Sequence, residues 1–329
     1  MGSAPPRSLR EPAPAGVIDT LGLAFTLLNR RPYLVLMLVT LDAVLWLGPR
    51  VSSAELLRVL RNTLAAAGTP TTAPSMSWPA VTGDFDLALL ATWFIPSLVA
   101  ALGPQSFAMP YAPIVWHLGF VPTLVAAGSL LIIGIVVAMG YWTVLAFVVR
   151  GEKMRGQVLL RAILRNSMMM VAYLGVLCLG LVGLAVILTP LLAASMLVGL
   201  GDAAFALLSL LLALAGLVFF VGAFFVEDAI VLSNAGPFRA FLYSAGIVRV
   251  ALWPSLRFIA ALSMIQVGLP LALRVFAGNP LAVPFALISY AYVATGLVLA
   301  SLLFYRDRIA LVLRRNSVRV GRVSVEDER

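Results

Sequence analysis

The sequence predicts an all-α polytopic membrane protein: six transmembrane helices in three hairpins, with inner interfacial helices and an outer helical cap. Three observations predict this. Residues 121–149, 166–201, 203–226, 258–273 and 275–305 carry no charged side chain, and a crossing needs about 20 apolar residues. The composition is 62% hydrophobic and only 11% charged, against about 25% charged in soluble domains. Finally, nineteen of the 23 Lys and Arg residues fall on one side of a six-span layout, leaving only Arg50, Arg58, Arg61 and Arg274 on the other. That asymmetry is the positive-inside pattern. It predicts a multi-pass protein with both termini in the cytoplasm. It also accounts for the net charge of +9 without a nucleic-acid partner.

Residues 1–16 are rich in Pro, Ala and Ser and read as a disordered cytoplasmic lead. They lack the ordered regions of a signal peptide. Residues 17–29 place Leu21, Phe25 and Leu28 at helical spacing and predict a helix in the inner interface. Pro32 then opens the first span, which runs to Leu47 with Trp46 at its outer end.

Residues 48–120 form an extracytoplasmic cap inserted into the membrane domain, which covers 17–305. Ser52 and Glu55 have the spacing of a capping box, predicting a helix to about Ala67 with Gly68 as its stop. Residues 87–102 are uncharged but broken by Pro96. A crossing there would turn the Arg150–Arg165 charges outward, against the charge rule. A helix in the outer interface or a re-entrant hairpin is preferred. Exposed irregular backbone is not tolerated in lipid.

The second span covers 121–149. Residues 153–166 alternate arginines with Val158, Leu159, Ala162 and Ile163, predicting a basic amphipathic interfacial helix. The third span covers 167–188, with Pro190 ending or kinking it. The fourth covers 203–226, and residues 227–249 return along the inner face. The fifth starts near Pro254, and the sixth ends near Tyr305. A basic and then acidic cytoplasmic tail, 306–329, follows. The three segments beginning at Leu23, Leu159 and Ala240 share one plan: a short inner helix, then a span.

In the third unit an acidic residue ends a span, a Gly-containing turn follows, and an Ala-x(3)-Ser helix leads to the next span. These are Glu227, Gly236, Ala240 and Ser244. The pattern resembles bacterial six-span proteins related to the glycerophosphoryl diester phosphodiesterase membrane domain. The stretch from Leu21 to Leu34 is similar to that family's opening helix and basic junction. The resemblance implies a membrane architecture without the soluble hydrolase domain. The cap departs from the compact family form.

Asp42 interrupts the first span. An intramembrane carboxylate is disfavoured by about 2.5–3.5 kcal/mol, which makes Asp42 a candidate functional residue. The simpler reading places it near the outer boundary, wetted or paired with Arg50 or Arg274. Glu227 and Asp228 close the fourth span. They are candidates to receive a cation or proton, or, as the preferred reading, to pair with Arg150, Arg239 or Arg249. The basic cluster Arg306, Arg308, Arg314 and Arg315 is suited to anionic lipid.

Cys178 is the sole cysteine and His117 the sole histidine, too few for a metal site of those ligands. No nucleophile elbow or phosphate-binding glycine loop occurs. The sequence therefore predicts no enzyme and no cofactor. It predicts a protein that organises or partners other membrane components, through a membrane-protein partner or lipids. The alternative is a transporter or lipid-translocating protein with its path between the spans under the cap.

Overall fold

The computed structural model describes residues 16–66, 86–197 and 201–326. Gly68, Trp78 and Phe85 of the cap lie outside the described residues, as does nearly all of the N-terminal lead.

The chain is helical almost throughout, because nearly every backbone group must find its partner within its own segment when water is absent. Helix α1 (Val17–Asn29) precedes a 3-10 turn at Pro32–Val35 and α2 (Leu36–Leu47). The cap contains α3 (Ala54–Ala66), a 3-10 turn at Leu87–Thr92 and α4 (Leu98–Leu102). Strands β1 (Arg50–Val51) and β2 (Val115–Trp116) pair in parallel at its base. Then come α5 (Phe120–Arg150), α6 (Gly156–Leu197), α7 (Gly201–Ala223) and α8 (Val226–Ser233). Helices α9 (Pro237–Val250), α10 (Leu252–Ala277) and α11 (Val283–Glu326) complete the chain. Among the described residues, five helical runs are long and apolar enough to cross a membrane, namely Phe120–Arg150, Gly156–Leu191, Ala203–Ser233, Leu252–Ala277 and Val283–Ala310. Pro32–Leu47 is apolar but shorter.

Helix α11 is the centre of the bundle. Its most apolar window is 78% buried, while those of α6 and of the α7–α8 run are 0% buried. Hydropathy runs the opposite way, 1.9 for α11 against 2.7 for the other two. The physical reason is the solvent. A helix facing lipid must be apolar all round, whereas one enclosed by protein can carry polar groups that bond to its neighbours. Tyr141 Oη donates to Thr295 Oγ1 (3.2 Å), Tyr292 Oη donates to Asn29 Oδ1 (2.7 Å), and Ser233 and Tyr305 share a hydrogen bond of 2.7 Å. On α11, Gly296 admits the Phe25 ring of α1, whose nearest carbon lies 2.4 Å from where a Cβ would stand.

Two of the three proposed inner junctions share a backbone geometry. Arg31 (φ −141°, ψ 62°) separates α1 from the Pro32–Leu47 segment, and Ala251 (φ −125°, ψ 51°) separates α9 from α10. Buried residues precede each break at the same offsets of three, seven and eleven: Leu28, Ala24 and Thr20 before Arg31, and Val248, Ser244 and Ala240 before Ala251. The third junction differs. Helix α6 runs unbroken through residues 156–197, so the amphipathic segment expected to lie flat in the interface is continuous with the span. No proline stands at Asn166–Ser167 to interrupt it, unlike Pro32 and Pro254 near the other two. The same helix passes Pro190 without ending. Helix α11 likewise continues past Tyr305 to Glu326.

The cap is tied down by polar contacts at its base. Asp86 Oδ1 accepts from the N–H groups of Val51 (3.0 Å) and Ala88 (2.9 Å). Helix α3 begins at Ala54, so Ser52 precedes the cap position and its hydroxyl accepts from Ala54 N (3.2 Å). The stretch 87–108 re-enters the bundle. The Ala91 backbone lies against α5 so closely that a Cβ on Gly134 would sit 2.6 Å from it, and Leu98 and Val99 are fully buried.

Candidate functional site

The re-entrant stretch contains short helices and turns, whose unpaired backbone groups demand partners where they are buried. Four side chains from α2, β1 and α5 supply partners for several of them. Asp42, on α2, is 1% exposed. Its Oδ1 accepts from the Ser97 hydroxyl, and its Oδ2 accepts from Leu98 N (3.1 Å). Ser97 in turn caps α4 by accepting from Ala100 N (3.1 Å). Trp142 Nε1 donates to Phe94 O and Trp46 Nε1 to Ala108 O, each at 3.2 Å. Arg50 Nη2 donates to Pro104 O (3.0 Å), and Ala108 N to Ala277 O (2.8 Å).

This arrangement corrects the expectation for Asp42. The carboxylate is neither wetted nor paired with Arg50 or Arg274. It is a buried anchor that holds the first turn of a re-entrant helix, where an anion is favoured by the aligned N–H groups. Arg50 holds the same element at a different point.

The second buried carboxylate lies at the opposite end of the bundle. Asp228 is 1% exposed, and its Oδ2 accepts from the Ser301 hydroxyl (2.6 Å). Glu227 and Asp228 stand in the first turn of α8, where acidic side chains complement the helix dipole. The expected partners are elsewhere. Arg150 Nη2 donates to Val231 O (2.5 Å) and Leu232 O (2.6 Å), closing the C-terminal end of α8. Arg249 is exposed. The chain between α7 and α8 is broken at Phe224–Phe225, and Ser244 of α9 bridges the break. Its hydroxyl donates to Gly222 O (2.6 Å) and accepts from Phe225 N (3.0 Å). Beside it, Phe225, Phe258 and Phe304 stack, with centroids 4.2–6.2 Å apart.

The basic cluster does not form one lipid-facing set. Arg308 is 4% exposed, and its guanidinium lies 3.4 Å above the centroid of Phe304. It faces into the bundle because a planar cation with an aromatic neighbour tolerates partial desolvation. Arg306 Nη1 donates to Val149 O (3.1 Å), and its other nitrogens meet Asp307 Oδ1 (3.3 Å). The side chains of Arg314 and Arg315 lie outside the described residues.

Asp42 and Asp228 are thus not brought together. Each carboxylate is held by a serine that sequence reasoning passed over. Ser97 was detectable, since it follows Pro96 and precedes an apolar helix, as an N-cap does. Ser301 carried no such signal. Among the described residues no group of three His, Cys, Asp or Glu side chains is placed to hold a metal. Comparison with protein-family models, curated proteins and solved structures returns no match for this chain.

Proposed function

We propose that this chain is a non-enzymatic membrane protein that docks another transmembrane protein on the hairpin formed by α6 and α7. One observation carries the reading. These are the two most apolar helical runs, and no residue of their apolar windows is buried by the rest of the chain. Gly175, Gly180 and Gly183 on α6, with Gly216 on α7, have no atom from beyond their own helical turns within 4 Å of where a Cβ would stand. Glycines on membrane helices permit close approach of another backbone, and here none approaches. The anchoring roles of Asp42, Ser244 and Arg150 support the same reading, because the polar groups noted in the sequence maintain the bundle.

The alternative is a translocation path under the cap. It needs Asp42 to face a space between the spans, whereas the Asp42 oxygens are taken by Ser97 and Leu98. The partner reading therefore has the stronger support.

The chain would cross a bacterial inner membrane six times, with the arginine-rich end in the cytoplasm. The likeness to the glycerophosphoryl diester phosphodiesterase membrane domain belongs to this proposal. Its support is that Ala240 and Ser244, two of the residues carrying the pattern, are fully buried.

Photo-crosslinking in cells tests the docking surface. A photoreactive residue at Leu179 or Val218 is expected to capture one defined membrane protein. The same residue at Leu281, an exposed site beyond the hairpin, is expected to capture none. Adducts with lipid alone at all three sites would reject the proposal.

A further inference from the structure

A groove runs along the face of α2 turned away from Asp42. Leu36, Met37, Thr40, Leu41 and Val44 line one side and Val137 of α5 the other of a shallow hollow of about 440 Å³, open to the surroundings. A second hollow prolongs it to Leu47 and Gly48. From Leu36 to Gly48 the helix rises about 18 Å, slightly more than the roughly 15 Å that is half of a bilayer's hydrocarbon core. Thr40 is the single polar side chain among the first set of lining residues.

The end of the groove near Leu36 is shaped by Gly140. Met37 of α2 and Ile163 of α6 reach to 4.0 and 3.9 Å of the point where its Cβ would stand, so three helices converge there. At this same end the chain leaves the span through Pro32 into Arg31 and Arg30. Arg30 is exposed and Arg31 half-buried. The cations Arg150, Arg165 and Arg306 are engaged by Val231, Asn234 and Val149. Among the described residues, by contrast, the side chains of Arg30 and Arg31 have no hydrogen bond or ion pair. The open apolar hollow thus begins one short 3-10 turn along the chain from Arg30 and Arg31, two cations that the described residues leave without a partner.

We propose that this groove is a specific site for one anionic phospholipid. An acyl chain lies along α2 between Leu36 and Val44, and the phosphate meets Arg30 and Arg31. The apolar wall selects a hydrocarbon tail. The two guanidinium groups favour a negative headgroup through charge-assisted hydrogen bonds. The site stands apart from the docking surface on α6 and α7, so either can fail without the other.

The test uses the full chain in vesicles of equal phosphatidylglycerol and phosphatidylcholine, doped with either lipid bearing a photoreactive acyl chain. The phosphatidylglycerol probe is expected to label residues 36–44 and Val137 preferentially, by roughly tenfold or more over the phosphatidylcholine probe. Arg30→Gln with Arg31→Gln is expected to bring the two probes to parity. Val44→Trp, at an exposed position that tolerates bulk, is expected to remove the label from the groove. Equal labelling by the two probes of the natural chain would overturn the site, whatever the variants do. So would labelling spread as heavily over α6 and α7, which marks ordinary surrounding lipid, or a headgroup preference that survives the double variant.

Discussion

Asp42 on α2 and Ser97 on the cap segment, 55 positions apart in sequence, are joined by a buried hydrogen bond from the Ser97 hydroxyl to the Asp42 carboxylate. The adjacent Leu98 N–H donates to the other oxygen. The pair explains how a broken, partly non-helical segment can sit inside a membrane bundle. Several of its freed backbone groups, Leu98 N and the Phe94, Pro104 and Ala108 carbonyls among them, are received by side chains of the surrounding elements.

Removing that acceptor should release the segment. Asp42→Ala leaves a buried hydroxyl and a buried N–H without their partner and should cost about 2–4 kcal/mol of stability. Asp42→Asn keeps a side-chain oxygen and should cost about half as much or less. Thermal unfolding in detergent, together with thiol labelling of a cysteine placed at Ile95, reads both effects. Equal stability of Asp42→Ala and the natural chain would contradict the anchoring role.

Gly134 makes a sharper steric prediction. An added methyl would meet the Ala91 backbone at 2.6 Å, so Gly134→Ala should destabilise by about 1–3 kcal/mol through overpacking. Gly128, on the same helix, has nothing within 4 Å of its added Cβ, and Gly128→Ala should be neutral or slightly stabilising. If the two variants melt together, the re-entrant segment is not seated on α5.

Ser244 serves the break between α7 and α8. Ser244→Ala removes one donor and one acceptor from a fully buried site and should cost about 1–3 kcal/mol. Ser244→Gly should cost at least as much, since it adds helix entropy to the same loss. The comparison is made by denaturant titration. A stable alanine variant would show that the break is satisfied without the hydroxyl.

Orientation is tested by accessibility. With Cys178 replaced, single cysteines at Ser75 and Ser317 should respond differently to an impermeant thiol reagent on intact cells. Only the first should be labelled. Labelling of Ser317→Cys alone would invert the proposed topology.

The class of fold was legible because bilayer chemistry acts locally. Long charge-free runs demand helices, and their lengths match a bilayer. The positions of Asp42, Glu227 and Asp228 were legible as exceptions to that rule. Their partners were not. Hydrogen bonds such as Asp42–Ser97 and Asp228–Ser301 join residues 55 and 73 apart, and no local pattern encodes such pairings. Arg308 shows the limit in the other direction. Its place in a basic run suggested a lipid-facing cation, but its helix register turns it onto Phe304.

Sequence alone therefore determined that this chain is a helical membrane protein with most of its positive charge in a few segments, because hydrocarbon excludes charge at every residue independently. Only the tertiary structure decided which helix is enclosed. By hydropathy α6 and α7 look like the core, yet α11 is the one the others surround. In lipid, apolar character marks contact with solvent as readily as contact with protein. The choice between them rests on where the polar groups of α11 can find partners.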